Sequence, residues 1–254
     1  MTRFIDEFDS MFDDWTTEES IDVEVDSAAK DLAKDMMMYV SIKYPASGDD
    51  KIKETYCHLF DKALAMQQKL YMMFYAKSKL LIAKHDFEMT QNMSFPALYG
   101  LGKTAILFYL ESIIIFARCA LDASARIYSD LLFDKRDDSF HSFSKGVINS
   151  DNPSLKELKL YYSGLASEKL SAFRLLCGEA KGRSLRDIII HQANINLGYS
   201  EYKENCEKEK LYIFINGVEP VDFDWFVEHF IGEVIRLIAR TTMLIEGFMT
   251  NKQR

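Results

Sequence analysis

The sequence predicts an all-α fold, a helical bundle with long antiparallel helices and a small appended β-hairpin. Three observations carry this expectation. Only 11 glycines and 4 prolines punctuate 254 residues, and so few breakers leave room for long helices. Two stretches, about 50–91 and 103–132, hold no glycine or proline at all. Strand-like content is confined to Ile195-Asn196-Leu197-Gly198-Tyr199 and Leu211-Tyr212-Ile213-Phe214-Ile215. A chain of this length, 48% hydrophobic and 28% charged, can bury a sizeable core.

Along the chain, residues 1–26 form an acidic amphipathic segment and 27–254 a helical domain. Phe4, Phe8, Phe12 and Trp15 recur at helical steps among the acids, so they share one face. Two uses fit them: a terminal helix docked on the body, or an acidic mimic of nucleic acid that shields a basic patch. Asp26 or Ser27 caps a helix over 27–44 that ends before Pro45. Ser47-Gly48-Asp49-Asp50 turns the chain, and Asp50 can cap the next helix, which runs to about 91. Its methionines and tyrosines read as core. Ser94 to Gly102 reads as a connector, and a second long helix follows at 103–132. Residues 134–152 read as a loop, 153–176 as a helix, and the Gly178–Gly182 break precedes a helix opening near Ser184. The β-hairpin spans about 195–216, with Asn216-Gly217 as a turn signal, and an amphipathic helix over 221–249 follows.

Net charge is −8, but its distribution is uneven. Residues 1–26 hold ten acids against Arg3 alone, so the rest of the chain sits near neutrality at +1. Within 169–186, Lys169, Arg174, Lys181, Arg183 and Arg186 face the single acid Glu179. Such a local basic patch suits an RNA backbone. Cys57, Cys119, Cys177 and Cys206 are scattered, with no metal or redox spacing, which fits reduced thiols. The acidic first residues lack a signal-peptide pattern. The apolar run Ala105–Leu121 is broken by Glu111 and Arg118 and is short for a membrane span. The expectation is a cytoplasmic protein with no membrane partner.

Several chemistries lose their footing at the level of spacing. Gly100-Leu101-Gly102-Lys103-Thr104 ends like a phosphate-binding loop, but Ala97 stands where the first glycine belongs and no strand leads in. His58, His85, His141 and His229 are dispersed, with no ligand spacing, so neither metal nor cofactor is expected. Glu111, Arg118, Asp122 and Arg126 stand seven, four and four apart in the second long helix, a polar stripe among isoleucines. Charges in such company pair with one another or face a site.

The stretch with chemical content is Gly182-Arg183-Ser184-Leu185-Arg186-Asp187-Ile188-Ile189-Ile190-His191. Arg186 offers a planar cation for phosphate oxygens, and His191 a group that titrates near neutrality. Arg183, Asp187 and His191 fall on one helical face, so Asp187 can orient the imidazole. Arg186 lies about 140° around that helix from His191, a separation that suggests a composite site across a symmetric dimer.

Arg186, Asp187, three apolar residues and His191 resemble the signature of the HEPN superfamily (higher eukaryotes and prokaryotes nucleotide-binding). That signature is an arginine, four to six residues and a histidine, with Asn, Asp or His commonly following the arginine, in an all-helical domain. Gln192 and Ala193 replace the tyrosine that follows the histidine in some toxin members. The resemblance implies a metal-independent endoribonuclease, homodimeric, often a toxin or antiviral defence effector with an antitoxin or defence-system partner. In that setting Arg186, Asp187 and His191 are catalytic, Lys181 and Arg183 hold the RNA substrate, and Glu111, Arg118 and Asp122 are supporting candidates. Some members are non-catalytic nucleotide- or protein-binding modules, which is the alternative expectation.

Overall fold

A computed structural model of the protein describes residues 23–45, 48–91, 96–133, 138–177, 184, 185, 189, 195–199, 211–215 and 219–252. Among these residues it is an all-α bundle of seven helices with a three-stranded antiparallel sheet, the architecture expected from the sequence. Helix α1 (Val23–Lys43) begins inside the acidic segment rather than after it. It ends before Pro45, whose ring excludes a helical residue ahead of it. Asp49, one residue earlier than expected, caps α2 (Asp50–Gln91) by accepting the Ile52 N–H at 3.0 Å. Lys43 and Tyr44 reach across to Asp130, tying this turn to the far end of the third helix.

Helix α3 (Pro96–Phe133) starts on proline, a residue pre-set for the first helical turn. The Gly100–Thr104 run is therefore helix interior and not a connector, which removes its likeness to a phosphate loop. Helices α2 and α3 pack along their whole lengths as an antiparallel hairpin. Met66, Leu70, Met73, Leu80 and Phe87 of α2 and Leu110, Ile113, Ala117, Ala120 and Leu121 of α3 are buried between them and their neighbours. Over Lys103–Phe133, α3 is long and apolar enough to cross a membrane. The expectation that the run was too short rested on Ala105–Leu121 alone. In the fold this helix is the central member of the bundle, in contact with α1, α2 and two later helices.

The region expected as a loop contains helix α4 (Phe140–Ile148), which buries Phe140, Phe143, Ser144 and Val147 on one face. A 3₁₀ turn (Pro153–Leu155), capped by the Asn152 side chain, leads into α5 (Lys156–Ser167). The single helix expected over 153–176 is broken at Glu168–Ser171. Ser171 makes the break: its hydroxyl donates to the Leu165 carbonyl at 2.6 Å and accepts the Arg174 N–H at 3.1 Å, opening α6 (Ala172–Cys177). Phe140, Phe143, Tyr162 and Phe173 form one aromatic cluster, with Tyr162 and Phe173 stacked at 5.3 Å.

Strands β1 (Asn196–Tyr199) and β2 (Leu211–Phe214) pair antiparallel, Asn196 opposite Phe214 and Tyr199 opposite Leu211. A third strand, β3 (Val221–Asp222), pairs with β2 where the sequence suggested helix. Asp222 then accepts the Trp225 N–H at 3.0 Å and caps the long helix α7 (Phe223–Lys252). Leu197, Leu211, Ile213 and Val221 turn into the core, so the sheet is welded to the bundle. Helix α7 is held to α2 by Lys77–Glu228 and Lys84–Asp224 ion pairs. It is held to α3 and α5 by buried hydroxyls, Tyr128 to Thr242 at 2.9 Å and Tyr162 to Thr241 at 3.0 Å. Phe140 is fully buried against the rings of Phe143, Tyr162 and Phe173, so Phe140→Ala is expected to cost about 3–5 kcal/mol in urea unfolding. A loss below about 1 kcal/mol would mean that α4 is peripheral to the core.

Candidate functional site

The polar stripe of α3 divides into a brace and an open end. Arg118 Nε donates to Asp122 Oδ2 at 3.0 Å, one helical turn along. Its other nitrogens leave the helix: Nη1 donates to the Leu176 carbonyl at 2.8 Å and Nη2 to the Ser139 hydroxyl at 3.1 Å. Asp122 Oδ1 in turn accepts the Phe140 N–H at 2.8 Å. The pair thus fixes the start of α4 and the end of α6 against α3, satisfying two helix termini that would otherwise keep orphan groups. Arg118 also lies 3.6 Å from Cys177 Sγ, a thiol that burial pushes up to about 12 and so keeps un-ionised. Arg126, buried in the same stripe, pairs with Asp138 at 3.4 Å.

Glu111 is different. Its carboxylate accepts the backbone N–H of Ile195, and desolvation lifts it above its ordinary range despite that bond. Its Oε1 is buried and has no hydrogen-bond partner among the described residues. Ile195 is four positions past His191 in the sequence. Ser184 and Leu185 are buried, and Ile189 packs on the core.

Arg186, Asp187, His191, Lys181 and Arg183 themselves lie outside the described residues, as does Cys206. What the structure brings together is Glu111 with Ile195, and Arg118 with Asp122; it does not join Arg118 or Asp122 to Glu111 by a bond. Of the basic patch, Lys169 is exposed after α5 and Arg174 is half-buried in α6. His58, His85 and His141 are exposed, and His229 stacks on Trp225 at 4.4 Å. No cluster of three His, Cys, Asp or Glu side chains able to hold a metal occurs among the described residues. Sequence reasoning did not foresee a cavity of about 330 Å³ between the 3₁₀ turn and the end of α7, lined by Leu132, Pro153, Leu158, Met243 and Phe248. It shares no residue with the stripe or the motif.

Two expectations follow from these geometries. Asp122→Ala strands the Arg118 charge and the Phe140 N–H. It is expected to cost roughly 2–3 kcal/mol, below the full range for a buried pair because Asp122 is partly exposed. The double change Arg118→Met, Asp122→Leu should recover most of that loss in urea unfolding; full additivity would contradict a coupled brace. Glu111 titrates in the opposite sense to a paired carboxylate. The folded state holds its proton to higher pH than the unfolded chain, so stability falls as pH rises from 4.5 through the raised folded value. Glu111→Gln keeps an acceptor for Ile195 and removes the charge. Its Tm should exceed the parent's at neutral pH, with the gap closing below pH 4.5. A lower Tm at neutral pH would instead mean that a cation neutralises Glu111.

No known family model matches the chain, and no curated protein or solved structure matches it either.

Proposed function

We propose that the chain is a metal-independent endoribonuclease of the HEPN type, acting as a homodimer on RNA. The observation that supports it most is the hold of Glu111 on Ile195. Ile195 follows the Arg186–His191 stretch by four residues, and Ser184 and Leu185, just before it in the sequence, are buried. A catalytic pair needs rigid support, because small displacements of reacting groups cost large rate factors. The all-helical bundle and its small hairpin suit the same reading.

In this mechanism the RNA 2′-hydroxyl attacks the neighbouring phosphorus. His191 accepts its proton as the P–O5′ bond breaks, and the 5′-oxygen takes a proton from the second subunit's imidazolium. The products are a 2′,3′-cyclic phosphate and a 5′-hydroxyl, with no water or metal consumed. Arg186 stabilises the charge that develops on the phosphorane oxygens, Asp187 holds the imidazole, and Lys181 and Arg183 grip the backbone without reading bases. Cytoplasmic work as a toxin or antiviral effector, restrained by an antitoxin or defence-system partner, belongs to the same proposal. A second reading, a non-catalytic HEPN-like nucleotide- or protein-binding module, draws on the commitment of Arg118 and Asp122 to bracing α4 and α6.

The test is cleavage of RNA by wild type, Arg186→Ala and His191→Ala, with and without EDTA. Each substitution is expected to lower the rate by a factor on the order of 10²–10⁴, with helical circular dichroism unchanged and EDTA without effect. Activity lost to EDTA, or retained in both variants, would overturn the proposal. Light scattering should give twice the chain mass; a strict monomer would remove the second imidazole.

A further inference from the structure

We propose that residues 1–22 form an amphipathic helix that docks on the outward face of the α2–α3 hairpin. Phe4, Phe8, Phe12 and Trp15 would lie along Tyr75, Ile82, Met89 and Phe108. This inference is independent of the ribonuclease reading. Phe108, Met89 and Ile82 are 63%, 58% and 55% exposed, three of the five most exposed large apolar side chains among the described residues, and Tyr75 is 47% exposed. Single exposed apolar residues need no explanation, but a continuous row marks a contact surface.

Along α2 the row is continuous by helical geometry. Tyr75, Ile82 and Met89 recur every seven residues and so share a face. Met73, Leu80 and Phe87 each lie two residues earlier and are buried, which sets the exposed trio about 200° from the core-facing line. Lys69 Nζ sits 5.6 Å from the Phe116 ring centre and fixes the register between α2 and α3. Counting back along the antiparallel pair places Phe108 level with about residue 77, between Tyr75 and Ile82. Buried Ile106 and Leu110 lie two residues to either side of Phe108, so it too points away from the core.

Reach and charge select the occupant. Helix α1 runs antiparallel to α2 from the turn at 44–49, so Val23 comes level with about Leu70. From there to Met89 is about 28 Å along α2, and twenty-two helical residues span about 33 Å. The segment carries eight acids against Arg3, five of them over Asp13 to Asp22, next to α1. That end would meet the end of the face where Lys79 lies over the Tyr75 ring at 5.1 Å and Lys69 lies beside Phe116. Asp86, the acid of this face, stands toward the other end, near Met89.

The experiment uses the two tryptophans of the chain, Trp15 and Trp225. In the Trp225→Phe protein, Trp15 should resist acrylamide quenching at concentrations from well below to well above those used for light scattering. Adding Ile82→Glu and Phe108→Glu should abolish that protection, bringing quenching to the level of free N-acetyltryptophanamide, with helical circular dichroism intact. As a second measurement that needs no change in the body, deleting residues 1–22 should raise oxidative labelling of Met89. A freely quenched Trp15 in the parent, or protection that survives the double charge substitution, would overturn the proposal. So would protection that grows with concentration, which would assign the face to a second copy, or Met89 labelling unchanged by the deletion.

Discussion

The packing of α2 against α3 is the constraint on which the remaining elements depend. Two helices of 42 and 38 residues bury a shared seam, and every other helix is placed by what that seam leaves uncovered. Helix α3 is apolar enough to be indifferent to direction, so its few charges decide its orientation. Arg118 can be buried beside the partly exposed Asp122 only if its remaining hydrogen-bonding capacity is met. The groups that meet it are the end of α6 and Ser139, while Asp122 accepts the N–H at the start of α4. The ion pair is therefore a locator: it converts an electrostatic cost into the position of two short helices. The aromatic cluster of Phe140, Phe143, Tyr162 and Phe173 then fills the volume that this placement encloses.

Glu111 uses the opposite logic. It sits two turns before Arg118 on the same helix, yet its carboxylate holds a backbone N–H and has a buried oxygen with no partner among the described residues. A fold built only for stability would place an apolar side chain there. Gln67 Oε1 and Arg126 Nε are the other buried polar atoms without a partner among the described residues. The neighbour of Glu111 in space is Ile195, four residues past His191 in the sequence. At the other end of the stripe Arg126 pairs with Asp138 through Nη1, while its buried Nε has no partner among the described residues.

The fold class and the long helices were legible because their signals are local. The absence of glycine and proline over 50–91 and 103–132 and the Pro45 stop depend only on neighbours in sequence. The hairpin strands were legible from β-branched and aromatic content, since Leu211–Phe214 alternates buried and less buried residues. Helix α4 was hidden by the charged run before it, although Phe140, Phe143 and Val147 already carry helical spacing. The break at Ser171 was invisible because one hydroxyl bonding both ways creates it, with no glycine or proline to announce it. Strand β3 is two residues long and exists only because β2 offers it a partner. At the site, spacing in α3 showed that the charges cluster. It could not show that Arg118 would spend its donors on α4 and α6, a consequence of tertiary placement.

The chemistry of the cut ends tests the proposed reaction most directly. RNA incubated with the full chain in EDTA should yield fragments ending in a 2′,3′-cyclic phosphate, each partner fragment beginning with a 5′-hydroxyl, as attack by the ribose itself requires. Fragments ending in a 3′-hydroxyl with a 5′-phosphate would instead show attack by an activated water, the chemistry of metal-assisted hydrolysis. That result would contradict the roles assigned to Arg186 and His191.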